Sequence, residues 1–511
     1  MDNDGFMDDP KMLQFNLSNR WLYMADSGMQ IRFGVRAIQD SRQGGQLLKE
    51  NGRQVDYAYD KYIYDKTWDK PENGVNPWGS DILNRSINGY LKVGVPLNED
   101  NSQNIALIAD YNYQDMDSYF GKTKYLAGQH SAYANLLYQN VISDAHRFTV
   151  GLNGTFDRYD EIFSRTIWFE PFPNVTGSDI PEYTSLANAG AFGEYTYKPS
   201  EALSVIAGLR ADWFNLVKDG SSKFKVSPRV TLKYAPIDEI VIRANGGRGL
   251  RYSTPLVDNI GVFSTGKFFE GAYREHILED AWTFGGNVTY YLPFGASSNT
   301  YLSVDYFRTQ FAQQMVVDYE RYENQISFYA LNGRRSYTDN IQLDFSVDPV
   351  ERFNITLTAR YTNARIELEG QGLVEKPMTS RFKGVLNLQY ATNLNKWIFD
   401  FTASLNGSCR VYDFMNDINE DGTITKQPKD GVARMYKNGR TPVYPMLYAQ
   451  VTRRFKGWDV YIGAENLTNF RQKNAIISAD NPRNASFDAS CVWGPLMGIK
   501  AHMGFRFTLW K

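Results

Sequence analysis

The chain closes on "GIKAHMGFRFTLWK", in which apolar side chains take every second place. Ala501, Met503, Phe505, Phe507 and Leu509 alternate with Lys500, His502, Gly504, Arg506 and Thr508. A period of two over that length is a β-strand with one apolar face and one polar face. The pattern recurs in Phe353–Ile355–Leu357–Ala359–Tyr361, in Trp397–Phe399–Phe401–Ala403–Leu405 and in Leu203–Val205–Ala207–Leu209–Ala211–Trp213. Phe148, Val150, Leu152 and Phe156 repeat it. These runs last about 10–12 residues, against roughly 5–6 for a strand of an ordinary globular domain. No long helix can be built on this pattern, and a sheet that is apolar on one face along its whole length must cover that face.

The connections say what covers it. Short turns are read at 25–28, 96–103, 142–145, 198–202, 235–239, 292–299, 348–351, 392–395 and 455–458. Longer, polar, Gly-rich and aromatic stretches lie between the hairpins, the longest at 40–82, 158–186, 247–279, 409–442 and 467–498. Short and long connections that alternate belong to an up-and-down meander with its short turns at one end. Transmembrane β-barrels have this asymmetry, with strands of roughly ten residues, because a sheet in lipid must close on itself to satisfy its backbone. A propeller would show a blade-length repeat, and none is present. A sandwich would use shorter strands. The expected fold is therefore all-β: a transmembrane antiparallel β-barrel, apolar to lipid and polar to lumen. Tyr23, Trp213, Trp282, Trp397 and Trp458 stand near strand ends, where an interfacial aromatic girdle belongs.

Nine hairpins and a final strand make about 19 strands. The last strand runs inward, and so does the first, Met12 to Tyr23, because it leads into a short turn. An odd number of further strands is expected before residue 12, and three would give the 22 of a plugged transporter. Residues 1–511 thus read as one barrel unit, truncated at its N-terminal side.

Composition agrees with half-apolar strands: 34 Tyr and 31 Phe accompany a mean hydropathy of only −0.46. The formal net charge of −2 gives no argument for nucleic acid. No run approaches the roughly 18 apolar residues of a membrane helix. The opening "MDNDGFMDDPKM" has neither the basic nor the apolar region of a signal peptide.

"VYIGAENLTNFRQKNAI" (460–476), "FDASCVWGPLMGIKAHMGFRF" (487–507), "GGRGLRYSTPLVDNIGVFSTGK" (246–267), "LEDAWTFGGNVTYYLP" (278–293) and "YFRTQFAQQMVVDYE" (306–320) resemble the barrel of TonB-dependent outer-membrane receptors. His502, Gly504, Phe507 and Leu509 resemble the closing signal that barrel-assembly machinery reads on a last strand. The chain departs from that signal by ending Trp510-Lys511. The resemblance implies a bacterial outer-membrane location, a 22-stranded barrel, a plug, and a motif that engages the TonB complex. It also implies energised uptake of a scarce nutrient such as an iron chelate, haem or cobalamin. No plug or TonB-contacting segment is read in these residues. Outer-membrane lipid, the assembly machinery, a small-molecule ligand and, in some branches, a surface lipoprotein are the implied partners. A SusC-like glycan importer and a passive porin are the alternatives.

Ligands would meet the long connections first. "GGRGLRYSTP" offers Arg248, Arg251 and Tyr252, and "KFFEGAYREH" offers Phe268, Phe269, Tyr273 and Arg274. Guanidinium forks grip carboxylate or phosphate, and aromatic faces stack on planar or sugar rings. The same residues could instead order the loops. "NDINEDGTITKQP" places Asp417, Asn419 and Asp421 as the first half of a calcium loop, but Pro428 stands where a bidentate Glu belongs. A structural calcium and an ordinary Asp/Asn/Gly turn are both open. Cys409 and Cys491 fall in long connections on the oxidising side, where a disulfide could persist. "NGGRGL" lacks the Lys-Ser/Thr of a phosphate-binding loop. His130, His146, His276 and His502 have no ligand spacing, and His502 is expected to face the lumen. No nucleophile–base–acid set declares itself, so an enzyme is not expected, and no cofactor is required.

Overall fold

The computed structural model describes residues 5–50, 53–55, 78–121, 123–169, 172–176, 180–217, 222–297, 300–322, 324–412, 417–418, 424–425, 436–482 and 485–508. Nineteen long strands follow one another in chain order among the described residues, from Lys11–Met24 to Lys500–Phe507, each antiparallel to the next. All nine short turns read from the sequence join strands at one end of this meander. No helix among the described residues is long and apolar enough to cross a membrane, a condition that does not bear on strands.

Directly paired residues share a face of the sheet, so the register assigns every side chain to lipid or lumen. Trp21 pairs with Phe33 and Phe33 with Leu91. Ala207 pairs with Val230, and Val460 with Phe505. The outer set is exposed: Leu152, Leu209, Ile462, Met503 and Phe505 all lie open on the outer wall. The inner set is polar and cross-bonded. Asn287 donates to Ser303 and Asp305, Thr358 to Asp344, and Asn387 to Thr402. His502 falls on this lumen side, 3.3 Å from Gln450. At the short-turn end, Trp21 stacks on Phe33 and Phe455 on Trp458, with centroids 4.6 and 4.2 Å apart. Arg453 lies over Trp397. Aromatic bodies with a cation at the water edge suit a membrane interface.

The strands are longer than the alternation indicates. His146–Phe169 has 24 residues and Thr123–Ser143 has 21, where a bilayer needs roughly 9–11. The expected connections at 40–82 and 158–186 are correspondingly shortened, because Gly79–Pro96 and Ile180–Tyr197 pair far beyond the apolar band. Gln103–Phe120 and Thr123–Ser143 turn directly at Phe120↔Thr123, so this end of the meander also holds one tight hairpin. Above the lipid nothing requires an apolar outer face. Asp115, Asp117 and Asp160 therefore enter the outer positions and hide the strands from a hydropathy reading.

The first strand pairs only with the second, and the last only with Trp458–Glu465, among the described residues. These edge strands run in the same direction, and all fourteen residues of the first are exposed. At the long-connection end an ion pair of 3.3 Å joins Asp9 to Lys500. In the last strand, Gly504 sits against the Tyr461 ring, where any Cβ would meet the phenol. Phe507 pairs with Trp458, and Leu509 lies outside the described residues.

Candidate functional site

The long connections build a cap over one end of the barrel. In residues 253–277, Pro255 takes the first position of the one-turn helix Pro255–Asp258, where its missing N–H leaves no bond unmade. Asp258 accepts the Thr254 N–H at 3.0 Å, which fixes the turn. The short strand Phe268–Gly271 then pairs in parallel with Gln325–Ala330, itself antiparallel to Met315–Tyr322. Gly271 is needed there. Its φ is +79° and a Cβ would strike the Phe328 carbonyl.

This small sheet has a core of its own. Phe263, Ile326 and Phe328 are fully buried and pack with Met315 and Val262 against Met116, Phe120, Tyr125 and Phe163 of the tall strands. Phe269 stacks on Phe163 at 5.6 Å and 9°. The Tyr125 hydroxyl donates to Glu161, and burial beside that carboxylate pushes its phenol well above the usual range. Arg165 is buried, donates to the Thr265 carbonyl and covers the Phe269 ring at 4.4 Å.

Ion pairs tie the cap to the other connections. Arg410 grips Glu320 with both amines, at 2.6 and 2.7 Å, and the Glu320 side chain is wholly inaccessible. Lys267 and Asp488 face each other at 3.9 Å, each 1 % exposed. Arg381 and Arg440 converge on Glu375. Burial alone would raise the Glu375 carboxyl, but the two guanidinium groups hold it below its ordinary value. Tyr319 stacks on Tyr412 at 4.5 Å. Sequence reading marked none of these partners; Arg381 lies six residues from Glu375, but the other partners are 65 to 221 residues apart, and none belongs to a motif.

Between cap and wall is a cavity of about 630 Å³, lined by Arg251, Asp258, Glu279, Met315, Asp318, Tyr319, Lys376, Tyr412 and Ser490 among others. That volume lies within the roughly 300–1,000 Å³ of small-molecule sites. Burial pushes Asp318 up, against the N–H of Glu320 and the Tyr329 hydroxyl that bond its charged form.

The seven residues read as ligand contacts are dispersed. Arg248 faces the outer wall and is taken up by Asp280 at 2.5 and 2.9 Å and by the Val226 carbonyl. Tyr252 donates to Asn215 at 3.0 Å. Phe269 and Tyr273 belong to the aromatic core of the cap, and Phe268 opens its short strand. Arg274 covers Phe163 and reaches its carbonyl at 3.4 Å. Arg251 lines the cavity, bonded to Glu279 at 2.7 Å and Asp258 at 3.1 Å, with its side chain 62 % exposed.

Cys409 and Cys491 are both buried and are not bonded to each other. Cys409 sits by Thr441, and Cys491 packs with Val411. Closing the cap has buried the two thiols in separate places, Cys409 against the Thr441 hydroxyl and Cys491 in an apolar cluster. Asn419 and Asp421 lie outside the described residues, as does the Asp417 side chain. No cluster of three metal-ligating side chains occurs among the described residues.

The family model described as TonB dependent receptor-like, beta-barrel matches residues 10–473. Among solved structures, the siderophore receptor PiuA from Acinetobacter baumannii superposes with a TM-score of 0.63 at 11% identity, over 99% of this chain and 78% of that one. FpvA of P. aeruginosa, bound to heterologous pyoverdines, gives 0.64 at 10%, over 98% and 65%. The ferric-catecholate import receptor Fiu from K12 E. coli gives 0.62 at 10%, over 98% and 74%. At such identities the likeness is one of fold, and the chain spans 65% to 78% of the length of these three. No curated protein matches it in sequence.

Proposed function

The chain belongs to the TonB-dependent receptor-like β-barrel family of the bacterial outer membrane, and from that premise we propose that it forms the wall and ligand-receiving mouth of a TonB-coupled uptake receptor. That family is one of receptors and transporters rather than enzymes. The observation that carries the reading is the capped mouth. Two connections fold into one sheet, others are clamped to it by the Glu320–Arg410 and Lys267–Asp488 pairs, and a cavity of small-molecule size lies between it and the wall. A passive channel would have no use for so braced a roof over its lumen.

The favoured solute class is a metal chelate or metallated cofactor, an iron chelate, haem or cobalamin. Arg251 is the ligand contact kept from the sequence reading, because it alone of the seven lines the cavity. Arg248, Tyr252, Phe268, Phe269, Tyr273 and Arg274 hold that mouth in shape. Energised uptake requires a plug in the lumen and contact with the TonB complex, as throughout the family.

Uptake of radiolabelled ferric chelates, haem and cobalamin by cells expressing the full gene tests this. Saturable uptake of one of them, abolished by a protonophore, is expected. Unsaturable flux that ignores the protonophore would make the protein a passive porin.

A further inference from the structure

We infer that the outer wall carries a built site for a single lipid of the outer leaflet, one with a phosphorylated headgroup. The register supplies the geometry. Phe15, Gln39, Arg85 and Asp115 form one paired row across the first four long strands, and Leu17, Ala37, Ile87 and Tyr113 form the next row toward the short turns. These eight residues belong to the lipid-facing set, since the rows below them continue through Trp21, Phe33 and Leu91. They line a single groove of about 780 Å³. Its floor exists because Ala37 is small. In its row, Leu17 and Ile87 stand exposed at 74 % and 58 % on either side of it.

Depth gives the groove its polarity. Arg85 stands eleven residues up its strand from Pro96, ~36 Å at about 3.3 Å per residue. At the usual tilt of about 40° that is ~28 Å, just above an apolar band of ~25 Å. Ile87 and Leu17 lie within the band. The groove is therefore apolar where an acyl chain would run and charged where its headgroup would sit.

The cation is available there. Arg85 bonds Asp115 through one amine at 2.5 Å, its side chain is 53 % exposed, and no other partner holds it among the described residues. The rest of its planar fork points to no protein acceptor, and a phosphate oxygen matches it. Gln39 adds a neutral donor in the same row. An ion pair placed only to brace two strands would not need a groove beside it.

The test uses the full protein purified in detergent and native mass spectrometry, with bis-phosphorylated lipid A as the probe. One lipid A per protein is expected to persist at detergent levels that strip the others. Arg85→Gln should weaken it about tenfold, in line with a lost hydrogen bond to a charged group. Ala37→Trp, which fills the groove floor, should abolish retention while heat-modifiable migration shows the barrel still folded. Asp115→Asn should bind as well or better. Retention unchanged in both Arg85→Gln and Ala37→Trp would overturn the inference. So would equal retention of dephosphorylated lipid A, or displacement by inorganic phosphate alone, which would make the site one for a free ion.

Discussion

Leu209 is the sharpest place to ask whether the alternation means what the register says. It lies six residues above Leu203, ~20 Å along its strand, hence ~15 Å above the short-turn end at a tilt of about 40° and near mid-bilayer. It is 57 % exposed on the outer face, in the row of Gly193 and Pro228. Leu209→Arg would set a guanidinium in hydrocarbon at a cost of about 2–4 kcal/mol, roughly a 30- to 800-fold loss in the folding constant. Thr231 pairs with Ile206 on the lumen face of the adjoining strand, so Thr231→Arg should change stability by about 0–1 kcal/mol. Tyr234→Arg, on the outer face at the short-turn interface, should also be mild, because the cost of a charge falls to about 0–1 kcal/mol there. The assay is equilibrium folding into phosphatidylcholine vesicles against urea, followed by tryptophan fluorescence. If Leu209→Arg and Thr231→Arg fold with equal midpoints, the assignment of faces is refuted.

The cap yields three further predictions. Glu320→Gln leaves Arg410 without its buried partner and should loosen residues 315–322 by about 3–5 kcal/mol in hydrogen exchange, with the barrel amides unchanged; the double variant Glu320→Met, Arg410→Met should recover most of that protection. Glu375 is held below its ordinary 4.5 by Arg440 and Arg381, so its tie is fully present above pH 4.5 and is lost as pH falls through its lower folded value. Proteolysis at residues 369–381 by an acid-active protease should therefore rise below that pH, and Glu375→Gln should show the raised rate already at pH 7. Burial pushes both cysteine thiols up, so the native protein should resist iodoacetamide, and protein unfolded without reductant should take two labels. A mass two hydrogens lower with no label would show a disulfide instead.

Much of the wall could be read from residues alone, and the physical reason is lipid. Where Val205, Ala207 and Leu209 face hydrocarbon, each alternate position is fixed by solvent, and both the strand and its turn become visible. Where the tall strands leave the bilayer, Asp115 and Asp160 replace apolar residues on the outer face, and the sequence no longer distinguishes a long strand from a loop. The mouth was partly legible. "KFFEGAYREH" stood out as an aromatic cluster, but its rings meet Phe163 and Phe263 through the fold, so packing and binding could not be told apart beforehand. The clamps Glu320–Arg410 and Lys267–Asp488 join residues 90 and 221 positions apart, and no local pattern announces such pairs. The lipid groove was hidden for the same reason, since it arises only when two strand pairings bring Ala37 between Leu17 and Ile87.

One face of each strand meets lipid and the other the lumen. Nitroxide labels placed singly at Val205, Ile206, Ala207, Leu209 and Arg210, with Cys409 and Cys491 replaced by serine, test it most directly in reconstituted membranes. The account predicts high oxygen accessibility at 205, 207 and 209, with a water-soluble nickel chelate reaching 206 and 210, the two profiles out of phase with a period of two. Profiles that rise and fall together, or nickel access at all five positions, would contradict it.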